Sequence, residues 1–278
     1  MKRPATSRLG AALLLALAVL SVAAPLLSPG DPLAIDPSRV FTPPSTAHPF
    51  GTDGLGRDVL ARVLFGGRIT LTSGFLATAL ALAIGAGLGA AAGYRGGLLD
   101  VVLARIADVV LSFPLLVAAL AVLGLSGEWG GISQAVRIGV VIGLFAWPTI
   151  FRLVRAESSR LRQADTVLAA RASGCPERRV VLLHLLPAAV LPALAPAAFI
   201  ASAAVLTEAG LSFLGLGVRP PAASWGSLLR EAREAIGEAW WLAAFPGLFL
   251  YLTTAGCLML GERARRGIAA PALRDRRG

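Results

Sequence analysis

Charge is scarce in this chain, and lysine is almost missing. Only 15% of the 278 residues are Asp, Glu, Lys or Arg, against roughly 25% in an ordinary soluble domain. Hydrophobic residues make up 56%, and the mean hydropathy is +0.73. There is too little charge to coat a soluble globule of this composition, which points to an integral membrane protein. Aromatics, at 6%, are too few for the girdles of a transmembrane barrel, whereas abundant Gly and Ala suit closely packed membrane helices. Lysine occurs once, at Lys2. The phosphate loop of an ATPase needs a lysine after its glycines, so this chain does not hydrolyse ATP through that motif. Cys175 and Cys257 lie 82 residues apart and form neither a disulfide framework nor a metal-ligand spacing. His48 and His184 also lack ligand-spaced neighbours. No catalytic residue, metal or bound cofactor is expected on this chain.

What the chain does have is arginine, giving a net charge of +10 and a pI near 11.3. The basic residues sit in short segments between apolar runs, the positive-inside pattern of a membrane protein, which excludes the nucleic-acid reading of this charge. Runs long enough to cross a bilayer, about 17–25 residues, fall at roughly 10–28, 69–94, 101–125, 132–151, 187–210 and 239–261. The first has the basic start and small-residue stretch of a signal peptide, but five further runs favour an uncleaved first helix. With both termini in the cytoplasm, segments 1–9, 95–105, 152–186 and 262–278 hold 18 of the 26 basic residues. The expected organisation is an N-terminal part, 1–68, with the first span and an outer loop. A five-helix core, 69–261, follows with its cytoplasmic loop 152–186, and a basic tail, 262–278, ends the chain.

Within the second span, Gly85, Gly89 and Gly93 form a small-residue ridge suited to close helix packing. Pro187, Pro192 and Pro196 predict a broken start to the fifth span. Loop 152–186 is the most informative part of the chain. Residues 151–163 read as a helical extension of the fourth span. Asp165 reads as the N-cap, and Gly174 as the stop, of a short helix. Pro176 and Glu177 read as the start of another. The short helix carries Ala169, Ala170 and Ala172, small enough to dock into a groove.

The run Leu168-Ala-Ala-Arg171-Ala-Ser-Gly174, followed at the right spacing by Leu186-Pro187, resembles the EAA loop of ABC-importer permeases. The segment from His48 to Asp58, with Gly51, Thr52, Asp53, Gly56, Arg57 and Asp58, is similar to the part before the second span in the peptide/nickel importer family. Leu211-Ser-Phe-Leu-Gly-Leu-Gly217, with Pro220, Pro221, Ser224, Trp225 and Gly226, resembles the part after its fifth span. The resemblance covers about residues 45–260 and is strongest to the C-type permease subunit. It implies an all-α, six-transmembrane-helix bundle of the ABC importer type I permease kind. It implies as partners a homologous second permease in a heterodimer, two ABC ATPase subunits holding ATP-Mg, and an extracytoplasmic substrate-binding protein. Asp165, Leu168, Ala169, Ala170, Arg171, Gly174 and Pro187 would then couple the permease to an ATPase, through a short helix around 165–174. Leu168 stands where the family carries Glu; at the third helical position after an Asp165 cap, Glu would complete a capping box and Leu cannot.

Charged residues within spans are candidates for function. Arg105 and Asp108, three residues apart, can pair on one face of the third span, with Pro114 a kink just beyond. Glu208 can bond the segment at Ser212–Gly217 or line the path. The glycines around Asp53, Arg57 and Asp58 read as a capped, amphipathic start to the second span, with a surface for the binding protein as the alternative. Peptide uptake is the expected function, with nickel uptake as the alternative. A secondary transporter would need a mid-membrane ion site and internal repeats. A membrane hydrolase would need a nucleophile with a base in reach, and Ser212 is not in a Gly-x-Ser-x-Gly elbow.

Overall fold

The computed structural model describes residues 5–28, 31–126 and 133–274. Lys2, Arg3, Arg276 and Arg277 of the basic ends lie outside the described residues, as does residue 132 at the start of the fourth apolar run. The described chain is built from helices. They are α1 (Ala5–Val22), α2 (Val59–Arg95), α3 (Gly97–Leu111), α4 (Leu115–Leu125), α5 (Gln134–Leu161), α6 (Asp165–Ala172), α7 (Glu177–Phe213), α8 (Trp225–Ala232) and α9 (Trp241–Arg274).

By length and composition, α2, α5, α7 and α9 can each cross a membrane, and α3 with α4 can form a fifth crossing bent by 84°. The first apolar run is shorter than expected, because its apolar helical part ends at Val22. Pro25 enters the next turn, Ala24–Leu27, and proline supplies no backbone donor to continue a ladder. Among the described residues, helix length and composition alone therefore give four or five spans. The predicted kink at Pro114 is a sharp break between α3 and α4. The sixth run extends well beyond 261, since α9 continues to Arg274 through residues set apart above as a tail.

The glycine ridge sets the axis of the bundle. A Cβ on Gly85 would lie 2.7 Å from the Trp147 carbonyl oxygen, and one on Gly89 2.8 Å from that of Phe151. Gly93 meets the Arg155 carbonyl in the same way. The contact is reciprocal: Gly139 and Gly143 of α5 press on the carbonyls of Ser73 and Ala77 of α2, at 2.8 and 2.9 Å from their would-be Cβ atoms. Because the contacts advance together along both chains, α2 and α5 run parallel. The connection between them must then return from one end of the pair to the other, so α3 and α4 jointly traverse the bundle once. Arg137, in the first turns of α5, accordingly donates to the Leu123 carbonyl near the end of α4 at 2.6 Å.

The remaining helices close around this pair. Gly10 of α1 packs against Met259, and Gly256 of α9 against Leu14, so α1 and α9 are antiparallel. Gly261 meets the Ala195 carbonyl midway along α7, whose first turns, at Val180 and Leu185, pack with Tyr94 of α2 and Val154 of α5. The start of α1, the end of α9, the ends of α2 and α5 and the start of α7 therefore share one end of the molecule. At the other end, Trp225 of α8 is fully buried and donates from Nε1 to the Val63 carbonyl at 2.8 Å. Helix α7 changes type where the prolines predict trouble. A π turn, Val180–Leu185, precedes Pro187, and a 3-10 turn, Leu191–Ala193, contains Pro192. The wider and tighter turns absorb the missing donors and ring clashes.

Candidate functional site

The loop between α5 and α7 carries the best-defined candidate site. Helix α6 has eight residues, too few to hold together alone, and it is fixed at both ends and along one face. Its start corrects the expectation for Asp165. Ala164, with extended backbone, is the N-cap, and Asp165 is the first helical residue with no side-chain cap bond. Cap position is decided by where the chain leaves extended geometry, and here Ala164 bonds the incoming turn through its N–H to the Leu161 carbonyl. Asp165 still faces the positive end of the helix dipole. Leu168 consequently sits one position beyond the third, so the capping-box position is not its own. Likewise Pro176 is an N-cap, and the next helix begins at Glu177.

The end of α6 is as expected. Gly174 has φ +74°, a backbone that favours glycine. Its N–H bonds to the Arg171 carbonyl at 3.0 Å, and the Cys175 N–H reaches the Ala170 carbonyl at 3.1 Å, a complete Schellman motif. Val167 is buried among Tyr94 of α2, Ile150 and Val154 of α5, and Val180 and Leu185 of α7, with Ala170 and Cys175 packed against the same cluster. Leu168, Ala169, Arg171 and Gly174 face outward. Of the three alanines expected to present a small surface, Ala169 and Ala172 are exposed and Ala170 is turned half inward. Arg171 pairs with Glu177 at 3.2 Å across the stop, and its guanidinium lies 5.9 Å from the Tyr94 ring centre. Pro187 is exposed nearby and ends the π turn. The arrangement is a small rigid projection bonded to three long helices.

The candidate residues of the third span pair differently from the i, i+3 expectation. Arg105 is 3.8 Å from Asp108, but Arg152 of α5 donates to Asp108 at 2.6 Å. A second bridge joins the same helices: Arg155 holds Asp100 through Nε and through Nη2, the latter at 2.6 Å. Asp108 thus ties α3 to α5, and Arg105 is mostly exposed. Glu208 is fully buried and accepts from the Ser212 hydroxyl at 2.7 Å; that oxygen in turn accepts the Val218 N–H at 3.0 Å. The carboxyl group therefore bonds the turn after α7 through Ser212. Within this chain it faces no open space.

At the opposite end, the segment from His48 to Asp58 folds into a tight capped start for α2. Asp58 accepts the Ala61 N–H at 2.8 Å as the N-cap of α2 and also meets His48 Nδ1 at 2.7 Å. Asp53 accepts the Leu55 and Arg57 N–H groups at 2.9 and 3.0 Å. Gly51 and Gly56 both have φ +72°, and a Cβ on Gly51 would lie 2.8 Å from Trp241 Nε1. That indole donates to the Thr52 carbonyl at 3.1 Å. Upstream, the Ser38 hydroxyl and N–H hold the Asp36 carboxyl below its ordinary range.

Two residues of this end escaped the sequence reading, Arg62 and Glu231. Arg62 is buried and donates to Asp53 at 2.7 Å and to Glu231 Oε1 at 3.0 Å, while Arg57 donates to Asp53 at 2.7 Å and to Glu231 Oε2 at 3.1 Å. Two cations and two carboxylates thus clasp the loop before α2 to α8, satisfying charges that would be costly to bury singly. The cluster borders a cavity of about 820 Å³ that also touches Arg230, Glu234 and Leu242. The spacing Trp225, Leu228, Leu229, Ala232 was a legible amphipathic signal for α8, and the Ser224/Ser227 capping box marked its start.

Residues 83–263 match the family described as binding-protein-dependent transport system inner membrane component. The dipeptide transport system permease protein DppC of Alkalihalophilus pseudofirmus is 33% identical over 265 residues, covering 95% of this chain and 86% of its own length. The glutathione transport system permease protein GsiD of Pectobacterium atrosepticum is 36% identical over 230 residues, covering 83% of this chain and 75% of its own. The match takes in the α5–α7 loop, α5 and α7 in full, and the last turns of α2 on which α6 sits. This chain therefore belongs to the binding-protein-dependent transport system inner membrane components, the multi-pass permeases of ABC importers.

Proposed function

We propose that this chain is one half of the translocation path of an ATP-driven importer for dipeptides or short oligopeptides. It acts beside a homologous second permease, with two ATPase subunits below and a substrate-binding protein outside. The observation that carries the reading is the rigid α6 projection, seated by Val167 on the ends of α2, α5 and α7. An ATPase groove that closes around α6 moves all three helices together, because the Schellman turn and the buried cluster leave it no independent hinge. The bundle then shifts between outward- and inward-facing arrangements by the difference in ATPase contact between the two states. The cargo class follows the names of the dipeptide and glutathione relatives.

The end bearing α6 is assigned to the cytoplasm because the arginines concentrate there, and the start of α1 and end of α9 lie at the same end. Helix α1 is taken as the sixth span, since it packs along α9 from Gly10 to the outer cluster containing Leu17. ATP-Mg belongs to the partner subunits. The test is uptake of a labelled dipeptide by cells expressing the full set of subunits, with this chain present or deleted. Uptake that requires this chain, and is competed by peptides and not by nickel, supports the reading. Nickel uptake without peptide uptake contradicts the cargo. Labelling from outside intact cells of a cysteine placed at Arg263 contradicts the orientation.

A further inference from the structure

At the end that bears α6, a second cavity of about 480 Å³ lies between the α2–α3 turn and the last turns of α5. Its lining includes Arg95, Arg155, Arg162, Asp100 and Ser159. The single carboxylate is already held by Arg155 through two nitrogens. Arg162 donates through Nη1 to the Tyr94 carbonyl at 3.3 Å, and neither it nor Arg95 has a carboxylate partner among the described residues. The Arg162 guanidinium lies over the turn, where a Cβ on Gly96 would be 3.4 Å from Nη1. Arg95 and Arg162, two arginines without acids that line one cavity at the end of long apolar helices, supply the charge for a phosphate group, which accepts bidentate bonds from arginine.

We propose that this cavity binds the phosphate of an anionic phospholipid from the cytoplasmic leaflet. The proposal rests on the orientation given above. The site is at the mouth of the bundle, where α2 and α5 leave the apolar layer, and basic pockets between membrane helices on that face suit anionic headgroups. Its neighbours connect it to α6: Arg162 is bonded to the Tyr94 carbonyl, and the Tyr94 ring receives Arg171. A headgroup bridging Arg95 and Arg162 pins the end of α2 to the end of α5 at the root of the α6 projection. Lipid charge would thereby regulate how firmly the projection is held.

The experiment is native mass spectrometry of the full chain with its partner subunits, in detergent. It is titrated with phosphatidylglycerol, with phosphatidylcholine, and with phosphatidylglycerol in the presence of inorganic phosphate. The expected result is a retained phosphatidylglycerol that phosphatidylcholine does not replace and inorganic phosphate does not displace. The Arg95→Gln, Arg162→Gln double variant should weaken that binding by about tenfold or more. Arg105→Gln, Arg178→Gln, which removes two exposed cations elsewhere, should leave it unchanged. Equal retention in the double variant and the parent overturns the site, and displacement by inorganic phosphate overturns the lipid assignment. Assembly of the double variant with its partners in the same spectra shows that it has folded. The readout is lipid binding alone, so its failure leaves the importer reading standing, and a failure of peptide uptake leaves this site in place.

Discussion

Arg171, in the last turn of α6, holds its guanidinium 5.9 Å from the centre of the Tyr94 ring at the end of α2. The two residues are 77 positions apart, and the contact joins the short projection to the longest helix of the parallel α2–α5 pair. Cation–ring contacts at exposed sites contribute roughly 0.5–1 kcal/mol, which is small. The buried seat of Val167 holds α6 in place more strongly, and Arg171 limits its rotation. A displacement of α6 therefore reaches α2 and α5 as a rigid-body push.

Removing that seat should loosen the projection without touching its outer surface. Val167→Ala deletes buried methyl groups worth about 2 kcal/mol. The expected outcome is a lower midpoint of thermal unfolding for the purified complex, together with ATP hydrolysis less dependent on cargo-loaded binding protein. Unchanged dependence would show that α6 is not held through Val167.

The glycine ridge gives a paired test. Gly89→Ala puts a Cβ 2.8 Å from the Phe151 carbonyl oxygen, and overpacking of this kind costs about 1–3 kcal/mol. Gly87→Ala, two residues away, meets nothing within 4 Å. It should be neutral or stabilising by up to about 1 kcal/mol, because alanine favours the helix. Thermal unfolding in detergent separates the two, and equal effects would contradict the packing described for α2 and α5.

The clasp of Arg57 and Arg62 with Asp53 and Glu231 should behave as a unit. Glu231→Gln leaves Arg62, which is buried, with Asp53 as its remaining carboxylate. Breaking such pairs in protein interiors costs about 3–5 kcal/mol. Because the Glu231 side chain is 33% exposed, a smaller loss of about 1–3 kcal/mol is expected. Arg57→Gln should cost less in the Glu231→Gln background than alone, by at least about 0.5 kcal/mol. A double-mutant cycle on thermal stability checks this; strict additivity would mean that the two residues act separately.

Much of this architecture was legible because its signals are local. Gly174 and Pro176 punctuate the α6 loop by backbone chemistry alone, Pro114 marks the α3–α4 break, and Pro187 and Pro192 mark the irregular start of α7. Asp165 was misplaced by one position, because the cap is set by the extended backbone of Ala164, a property of the turn rather than of any side chain. The pairing of Asp108 with Arg152 was hidden because it needs the approach of α3 to α5, 44 residues away. Arg62 and Glu231 were hidden for the same reason, and nothing near Arg62 in sequence announces its partner on α8. The end of α1 was hidden because hydropathy continues to Leu27 while the helix breaks at Ala23, before the short turn Ala24–Leu27.

The α6 stop and start allow a graded comparison. Gly174→Val forces a left-handed conformation on a Cβ-branched residue, at a cost of about 1–2 kcal/mol. Asp165→Ala loses only a first-turn charge, about 0.3–1 kcal/mol, because Asp165 is not the cap. Transport should fall more for Gly174→Val than for Asp165→Ala at equal membrane abundance. The reverse order would mean that Asp165 contacts the ATPase directly.

The central claim, that α6 is the element gripped by the ATPase, is tested most directly by Ala169→Arg. Ala169 is exposed on α6 and has no role in its buried seat, so the substitution adds bulk and charge to the docking face alone. The measurement is co-purification of the ATPase subunits with this chain, scored against its membrane abundance and its retention of the second permease. The account predicts an abundant variant that keeps the second permease and loses the ATPases together with peptide uptake. A variant that keeps both the ATPases and uptake at parental levels would contradict it.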